Sequence, residues 1–170
     1  VGIDKAKLKK IKLLILDVDG VLTDCRLWMD SNGQWKRFFS IRDGVGIKRL
    51  IESGYKIAVI TGSTAEDIRA RIKVLGIQYF YEGAQDKEPS FAKLLLESGV
   101  SADEMAFIGD DIFDIPLLQK VGFSATVPEA VEEVLGEVQY ITRRPGGNGA
   151  VREICDYIYK FGALNQEEKA

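Results

Sequence analysis

Lys12 to Asp24 reads KLLILDVDGVLTD. Four apolar residues, Leu13 to Leu16, end abruptly at Asp17, Val18, Asp19 and Gly20. A short apolar run without polar alternation, closed by a glycine turn, predicts a buried strand of the parallel-sheet kind. Its carboxyl end then carries two carboxylates separated by one residue. In an open α/β sheet that edge is where ligands bind. Two acids there oppose folding unless positive charge offsets them, and a hard cation does so most directly. The stretch reads as a metal-assisted catalytic loop.

The chain downstream alternates strands and helices. Asp43 to Ser53 reads as a helix with Val45, Ile47, Leu50 and Ile51 as its apolar positions and Gly54 as its stop. Strands are expected at 56–60, 77–81, 105–108, 122–127 and 138–142. Helices are expected at 65–75, 88–98, 112–121, 129–135 and 151–161, and Ser101 to Glu104 has the form of a capping box. This rhythm predicts an α/β fold: a mostly parallel sheet with helices on both faces. With no internal repeat, linker or low-complexity segment, residues 1–170 read as one domain, ending in a polar tail over about 163–170 that frays.

One segment interrupts the alternation. Arg26 to Ser40, RLWMDSNGQWKRFFS, places aromatic-bearing arms on either side of an Asn-Gly turn signal. Such a hairpin could fold back onto its own domain. Wedged between two α/β units it is expected to project instead, and projecting tryptophans mark an interface. We expect oligomerisation through the hairpin at about 26–40.

Bulk properties narrow the chemistry. The net charge of −3 comes without any basic tract, which argues against nucleic acid as a partner. No apolar stretch approaches membrane-spanning length, and the amino terminus has no signal-peptide apolar region. Cys25 and Cys155 stand far apart in no metal-type spacing, so a reduced, cytoplasmic protein is expected. There are no histidines at all, which removes Ser-His-Asp and Cys-His triads and imidazole zinc sites together. Any catalysis must run on carboxylates, lysine, hydroxyls and a hard metal.

Four strand ends finish in short polar loops: Asp17-Val18-Asp19, Thr61-Gly62, the loop holding Lys87, and Gly109-Asp110-Asp111. In a parallel sheet they share one edge and can converge. Together they resemble the four motifs of the haloacid dehalogenase superfamily, whose fold is Rossmann-like: DVDGVLT for the first, Thr61 for the second, Lys87 for the third and GDDIFD for the fourth. The resemblance implies a phosphohydrolase in which Asp17 is the nucleophile and Asp19 the general acid and base. It implies Mg²⁺ held by Asp17, the Asp19 backbone carbonyl and Asp110. Lys87 would supply a fixed positive charge, and Thr61 and the Gly62 amide would hydrogen-bond the transferring group. Asp111 and Asp114 would orient metal waters and Lys87. A helix cap and a first-turn charge are the structural alternatives for those last two acids.

The segments 24–43 and 62–87 are too short for the cap domain that many superfamily members carry. The capless layout resembles the 3-deoxy-D-manno-octulosonate 8-phosphate phosphatases, tetrameric enzymes of lipopolysaccharide-sugar synthesis. DVDGVLTD, FSIRDGVGIKRL, AVITG, GDDIFDIPLLQKVG and PGGNGAVREICDYI carry the likeness from about Lys10 to Phe161. The resemblance implies a sugar phosphate substrate and a homotetramer with hairpins at its core. One departure matters: these phosphatases usually have an arginine directly after Thr-Gly, and this chain has Ser63. Arg71 is similar in place to a substrate-binding arginine and is the expected carboxylate anchor. Two alternatives stand beside this reading: a phosphatase of a nine-carbon keto-deoxy sugar phosphate, and a non-catalytic tetramerising module of a sugar-activating enzyme.

Overall fold

A computed structural model describes residues 3–165. Asp4 caps a short helix α1 (Lys5–Leu8), accepting from the Ala6 and Lys7 amides, and buried Ile11 leads into β1 (Leu13–Leu16). All four β1 residues are buried, as an unbroken apolar run requires. An irregular turn over Val18–Leu22 follows, broken by non-helical backbone at Asp19 and Gly20. An antiparallel ribbon, β2 (Trp28–Met29) and β3 (Trp35–Lys36), precedes α2 (Ile41–Glu52) and β4 (Lys56–Ile60). The alternation continues through α3 (Glu66–Leu75), β5 (Tyr79–Tyr81), α4 (Glu88–Ser98) and β6 (Met105–Ile108). It closes with α5 (Ile115–Leu118), β7 (Phe123–Thr126), α6 (Glu132–Leu135), β8 (Tyr140–Ile141) and α7 (Ala150–Phe161).

The main sheet has the order β5-β4-β1-β6-β7-β8, with every neighbouring pair parallel. β1 sits inside it, pairing Leu13 with Lys56 on one side and with Met105 on the other. The chain leaves β1 toward β4 and β5, then returns across β1 to build β6, β7 and β8. The loops after β1 and β6 therefore diverge, and this reversal opens a crevice at the carboxyl edge. Successive β1 side chains point to opposite faces. Leu14 and Leu16 pack with Ile47 and Leu50 of α2 and with Ile154 and Ile158 of α7. Leu13 and Ile15 pack on the other face with Phe91 and Leu94 of α4 and Leu117 of α5. Helices cover both faces, and no inserted domain interrupts 24–43 or 62–87.

Several boundaries differ from the periodicity reading, each for a local reason. α2 starts at Ile41, because Ser40 caps it by accepting from the Asp43 amide. Val45 is half exposed rather than on the apolar face. The buried stripe runs instead through Gly44, Gly46, Ile47 and Leu50, since a Cβ at Gly46 would press on Arg152 and Cys155 of α7. The 112–121 helix is a 3₁₀ turn at Ile112–Asp114 followed by one turn of α5. Strands β5 and β8 and helix α6 are shorter than the periodicity suggests, and α1 is a single turn that the apolar pattern does not indicate. The tail expected from about 163 begins as a 3₁₀ turn, Ala163–Asn165, in which the Leu164 amide donates to Tyr55 Oη; residues 166–170 lie outside the described residues. Among those described, no helix is long and apolar enough to cross a membrane.

The hairpin has arms of only two paired residues each. Its turn is held by Asp30, whose carboxylate accepts from the Asn32 and Gln34 amides, and Gly33 takes the left-handed backbone that Asn-Gly turns need (φ 74°). Leu27, Trp28, Met29, Trp35 and Phe38 are all exposed, with Trp28 stacked on Phe38 at 5.9 Å.

Asp43 joins two distant parts of the chain. Its buried carboxylate accepts from the Arg152 amide at 2.7 Å and the Gly149 amide at 3.3 Å, satisfying donors at the start of α7. Asp43→Ala leaves both unpaired. It is expected to lower stability by about 2–3 kcal/mol, and Asp43→Asn by less, in urea denaturation followed by circular dichroism.

Candidate active site

The crevice at the end of β1 gathers charge that a folded protein does not leave without cause. Asp17 follows Leu16 directly, and its amide stays in the sheet by donating to the Ile108 carbonyl of β6. The side chain is buried. Lys87, at the start of α4 and only 5% exposed, donates from Nζ to Asp17 Oδ1 at 2.6 Å and to Asp114 Oδ1 at 2.5 Å. Asp114 is itself buried. Its second oxygen accepts from the Asp110 amide at 2.9 Å and the Asp111 amide at 3.2 Å, which fixes the loop after β6. Asp111 caps the following 3₁₀ turn through the Ile112 amide. Thr126 Oγ1 of β7 donates to the Gly109 carbonyl at 2.6 Å and holds the loop from behind.

Carboxylate oxygens of Asp17, Asp110 and Asp114 lie within 4.8 Å of one another. Burial, and then the neighbouring Asp17 and Asp114, push the Asp110 carboxyl up to about 8. Burial also raises Asp17, against the opposing pull of Lys87. Burial disfavours the charge on Lys87, yet Asp17 and Asp114 together hold the ammonium above its ordinary value. One ammonium facing three carboxylates leaves a negative excess. The donors are all oxygens, so the set suits a hard cation such as Mg²⁺. Both Asp114 oxygens already accept hydrogen bonds, so the free carboxylate positions belong to Asp17 and Asp110.

Two glycine-rich segments make this geometry possible. Gly20 has φ 90°, and a Cβ there would collide with the Asp110 carboxylate, so only glycine lets the two loops meet. The 145–150 loop buttresses the turn after β1. The Gly147 amide donates to the Val21 carbonyl at 3.0 Å, and a Cβ at Gly146 would strike the Gly20 carbonyl.

The Asp19 side chain stands apart from the acid cluster. It pairs with the Arg37 guanidinium through Nε at 2.6 Å and Nη2 at 3.2 Å, and Ser63 Oγ donates to it at 2.7 Å. Any share of Asp19 in holding a cation therefore falls to its backbone carbonyl. Thr61 is buried, its amide donating to the Tyr81 carbonyl and its hydroxyl accepting from the Ser63 amide. The Gly62 carbonyl accepts from Gln85 Nε2 at 3.1 Å.

Asp17, Asp19, Thr61, Gly62, Ser63, Lys87, Asp110, Asp111 and Asp114 all border one cavity of about 260 Å³. Arg71 does not. It lies more than one turn along α3 from the sheet edge, donates to the Ser40 carbonyl at 2.8 Å and faces the Phe39 ring in a separate hollow at the root of the hairpin. The sequence pattern does not mark Arg37, Gln85, Phe113 or Cys25 as site residues, yet the last three also border the cavity, and Arg37, which lines the hollow of Arg71, reaches across to Asp19 and Ser63. Cys25 is exposed and has left-handed backbone (φ 64°), and partial desolvation together with the acids around it pushes its thiol up to about 11. A larger hollow of about 520 Å³ shares Asp110 and Cys25 with this cavity and runs along the 145–148 loop.

Comparison with known proteins agrees with this arrangement. Residues 40–122 match the haloacid dehalogenase-like hydrolase family model. The chain is 41% identical over 153 residues to the 3-deoxy-D-manno-octulosonate 8-phosphate phosphatase KdsC of Escherichia coli K12, covering 90% of this chain and 81% of that protein. The Yersinia pestis phosphatase of the same name aligns structurally with a TM-score of 0.91 at 39% identity, covering 96% of this chain and 88% of that one. The Moraxella catarrhalis phosphatase, solved with magnesium, phosphate and KDO, aligns with a TM-score of 0.90 at 36% identity, covering 97% and 95%.

The raised Asp110 carboxyl sets a pH signature. A carboxyl held above its ordinary 3.8 favours the fold most when protonated, so that contribution is present at low pH and is lost as pH rises through about 8. Metal-free protein is expected to melt at progressively lower temperature between about pH 5 and pH 8, and added Mg²⁺ to raise the melting temperature more at the upper end. Asp110→Asn is expected to flatten both trends in differential scanning calorimetry.

Proposed function

The chain belongs to the 3-deoxy-D-manno-octulosonate 8-phosphate phosphatase family, within the haloacid dehalogenase-like hydrolases, and on that premise we propose how its own residues release phosphate. The substrate is 3-deoxy-D-manno-octulosonate 8-phosphate, and the step serves lipopolysaccharide-sugar synthesis in the cytoplasm. The observation that carries the reading is Lys87, nearly buried and bridging Asp17 to Asp114 at the one sheet edge where four polar strand ends meet.

An Asp17 carboxylate oxygen attacks phosphorus while the bond from phosphorus to the sugar oxygen breaks, leaving an aspartyl-phosphate. Asp19 passes a proton to the departing sugar oxygen. It then takes a proton from the water that attacks phosphorus, which frees inorganic phosphate and restores the Asp17 carboxylate. A dianion can approach these acids only if positive charge intervenes. Lys87 supplies one such charge, and Mg²⁺, held by Asp17, Asp110 and the Asp19 backbone carbonyl, supplies the electrostatic stabilisation of the transferring group. The Thr61 hydroxyl and the Gly62 amide orient phosphoryl oxygens. Asp114 keeps Lys87 and the Asp110 backbone in place, and Asp111 holds the turn behind them.

With no cap in 24–43 or 62–87, one domain alone leaves the cavity open to water. We assign the cover to a homotetramer assembled through the exposed aromatic hairpin, which is supported by Trp28, Trp35 and Phe38 standing in solvent.

Phosphate release from the eight-carbon acid is expected to require Mg²⁺, to stop with chelator, and to fall at least about a thousandfold in Asp17→Asn. No metal-dependent turnover by the unmutated chain refutes the phosphatase reading, and preference for a nine-carbon homologue reassigns the substrate. In sedimentation, Trp28→Asp combined with Trp35→Asp is expected to shift the protein from tetramer to smaller species and to lower turnover with it. A fully active monomer contradicts the shared cover.

A further inference from the structure

The segment Pro145 to Glu153, PGGNGAVRE, takes no part in the chemistry proposed above, yet carboxylates tie down the chain at both ends of its loop. Glu153 lies in the first turn of α7, where an acid ordinarily serves its own helix. Its carboxylate reaches back across the loop instead. Oε1 accepts from Tyr140 Oη of β8 at 2.6 Å. The two oxygens share the Arg143 amide at 3.2 and 3.1 Å, and Oε2 accepts from the Arg144 amide at 3.2 Å. Asp43 of α2 holds the far end through the Gly149 and Arg152 amides. Between these two clamps the loop closes on itself, the Asn148 amide donating to the Pro145 carbonyl at 3.1 Å.

The clamped loop presses on the turn after β1, backbone against backbone. A Cβ at Gly146 would strike the Gly20 carbonyl, and one at Gly147 would meet the backbone of Thr23 and Asp24. The Gly147 amide donates to the Val21 carbonyl. Gly20 in turn backs onto the Asp110 carboxylate. The Gly20 amide, which donates to Thr23 Oγ1 at 3.4 Å, shares one planar peptide group with the Asp19 carbonyl. Whatever seats Gly20 therefore aims that carbonyl. Asp19 and Gly20 are the two residues of the turn with non-helical backbone, so their peptide is oriented by these contacts rather than by a helical ladder.

In the phosphatase reading, on which this inference rests, the Asp19 carbonyl joins Asp17 and Asp110 on Mg²⁺. We propose that Glu153 is a positioning residue for that cation. By clamping the Arg143 and Arg144 amides it holds the 145–148 loop against Gly20, and the loop sets the Asp19 carbonyl and the Asp110 carboxylate at the spacing the cation needs. Mg²⁺ demands a near-ideal octahedral shell and tolerates a displaced oxygen poorly. Glycines at 146 and 147 serve this purpose because backbone contacts pass on a small displacement that a flexible side chain would absorb. Glutamine at 153 offers one acceptor oxygen in place of two, so it cannot hold Tyr140 and both amides together.

The test is Mg²⁺ binding by isothermal titration calorimetry, on the full chain well below its melting temperature, in the unmutated protein, Glu153→Gln, Gly146→Ala and Ile154→Val. Glu153→Gln is expected to weaken Mg²⁺ binding at least about fivefold, and a smaller change overturns the proposal. Ile154→Val removes a buried methyl group from α7 without touching the clamp, and its Mg²⁺ affinity is expected to stay within about twofold. A loss there equal to that in Glu153→Gln marks general loosening and also overturns the proposal. Gly146 does not use left-handed backbone, so Gly146→Ala tests the contact with Gly20 by itself. If Glu153→Gln does not fold, Gly146→Ala decides at the same fivefold threshold. A chain that binds Mg²⁺ but releases no phosphate refutes the phosphatase reading and leaves the calorimetry to judge Glu153. An unmutated chain that binds no Mg²⁺ overturns the positioning role outright.

Discussion

The ion pair network centred on Lys87 is the constraint from which the rest of the architecture follows. A lysine that is 5% exposed, shared by Asp17 and Asp114, is stable only when all partners are placed to a few tenths of an ångström. Three separate loops must therefore arrive at one point. The sheet order delivers them, because β1 lies between β4 and β6 and the direction of chain travel reverses across it. The glycines at 20, 109 and 146 then let backbone approach carboxylate and backbone more closely than any side chain would allow. Asp110 remains in excess of the available positive charge, and that excess is what a divalent cation meets.

Much of this was legible in the sequence because strand ends are punctuated. An unbroken apolar run followed by Asp-x-Asp-Gly, Thr-Gly or Gly-Asp-Asp fixes both the strand and the edge to which the polar group belongs, so the cavity at Asp17 could be assembled from residues 17 to 114. Helix α2 was harder to read. Its packing face runs through Gly44 and Gly46, and glycine carries no hydrophobic signal, so the apolar pattern points to Val45, which is half exposed. Arg71 followed from position along a helix, but its distance from the helix start, not its chemistry, decides which hollow it borders.

Arg37 was not legible for a different reason. It lies among Trp35, Lys36, Phe38 and Phe39, where a charged residue reads as the solvated face of a ribbon. Nothing in that local pattern shows that two arms of two residues each leave the next side chain pointing back into the domain, toward Asp19, Ser63 and Asp67. The hairpin thus has two faces of consequence. Its aromatic residues stand in solvent, while its stem carries the Arg37 guanidinium between Asp19 and Asp67.

The most direct measurement of the central claim is a rapid acid quench with radiolabelled substrate and Mg²⁺, followed by peptide mapping, in the unmutated chain and in Asp19→Asn, where hydrolysis of the intermediate is slowed. The account predicts transient label on the peptide containing Asp17, persisting longer in Asp19→Asn and discharged by hydroxylamine. Phosphate release with no label on the protein, or label on a peptide lacking Asp17, would contradict it.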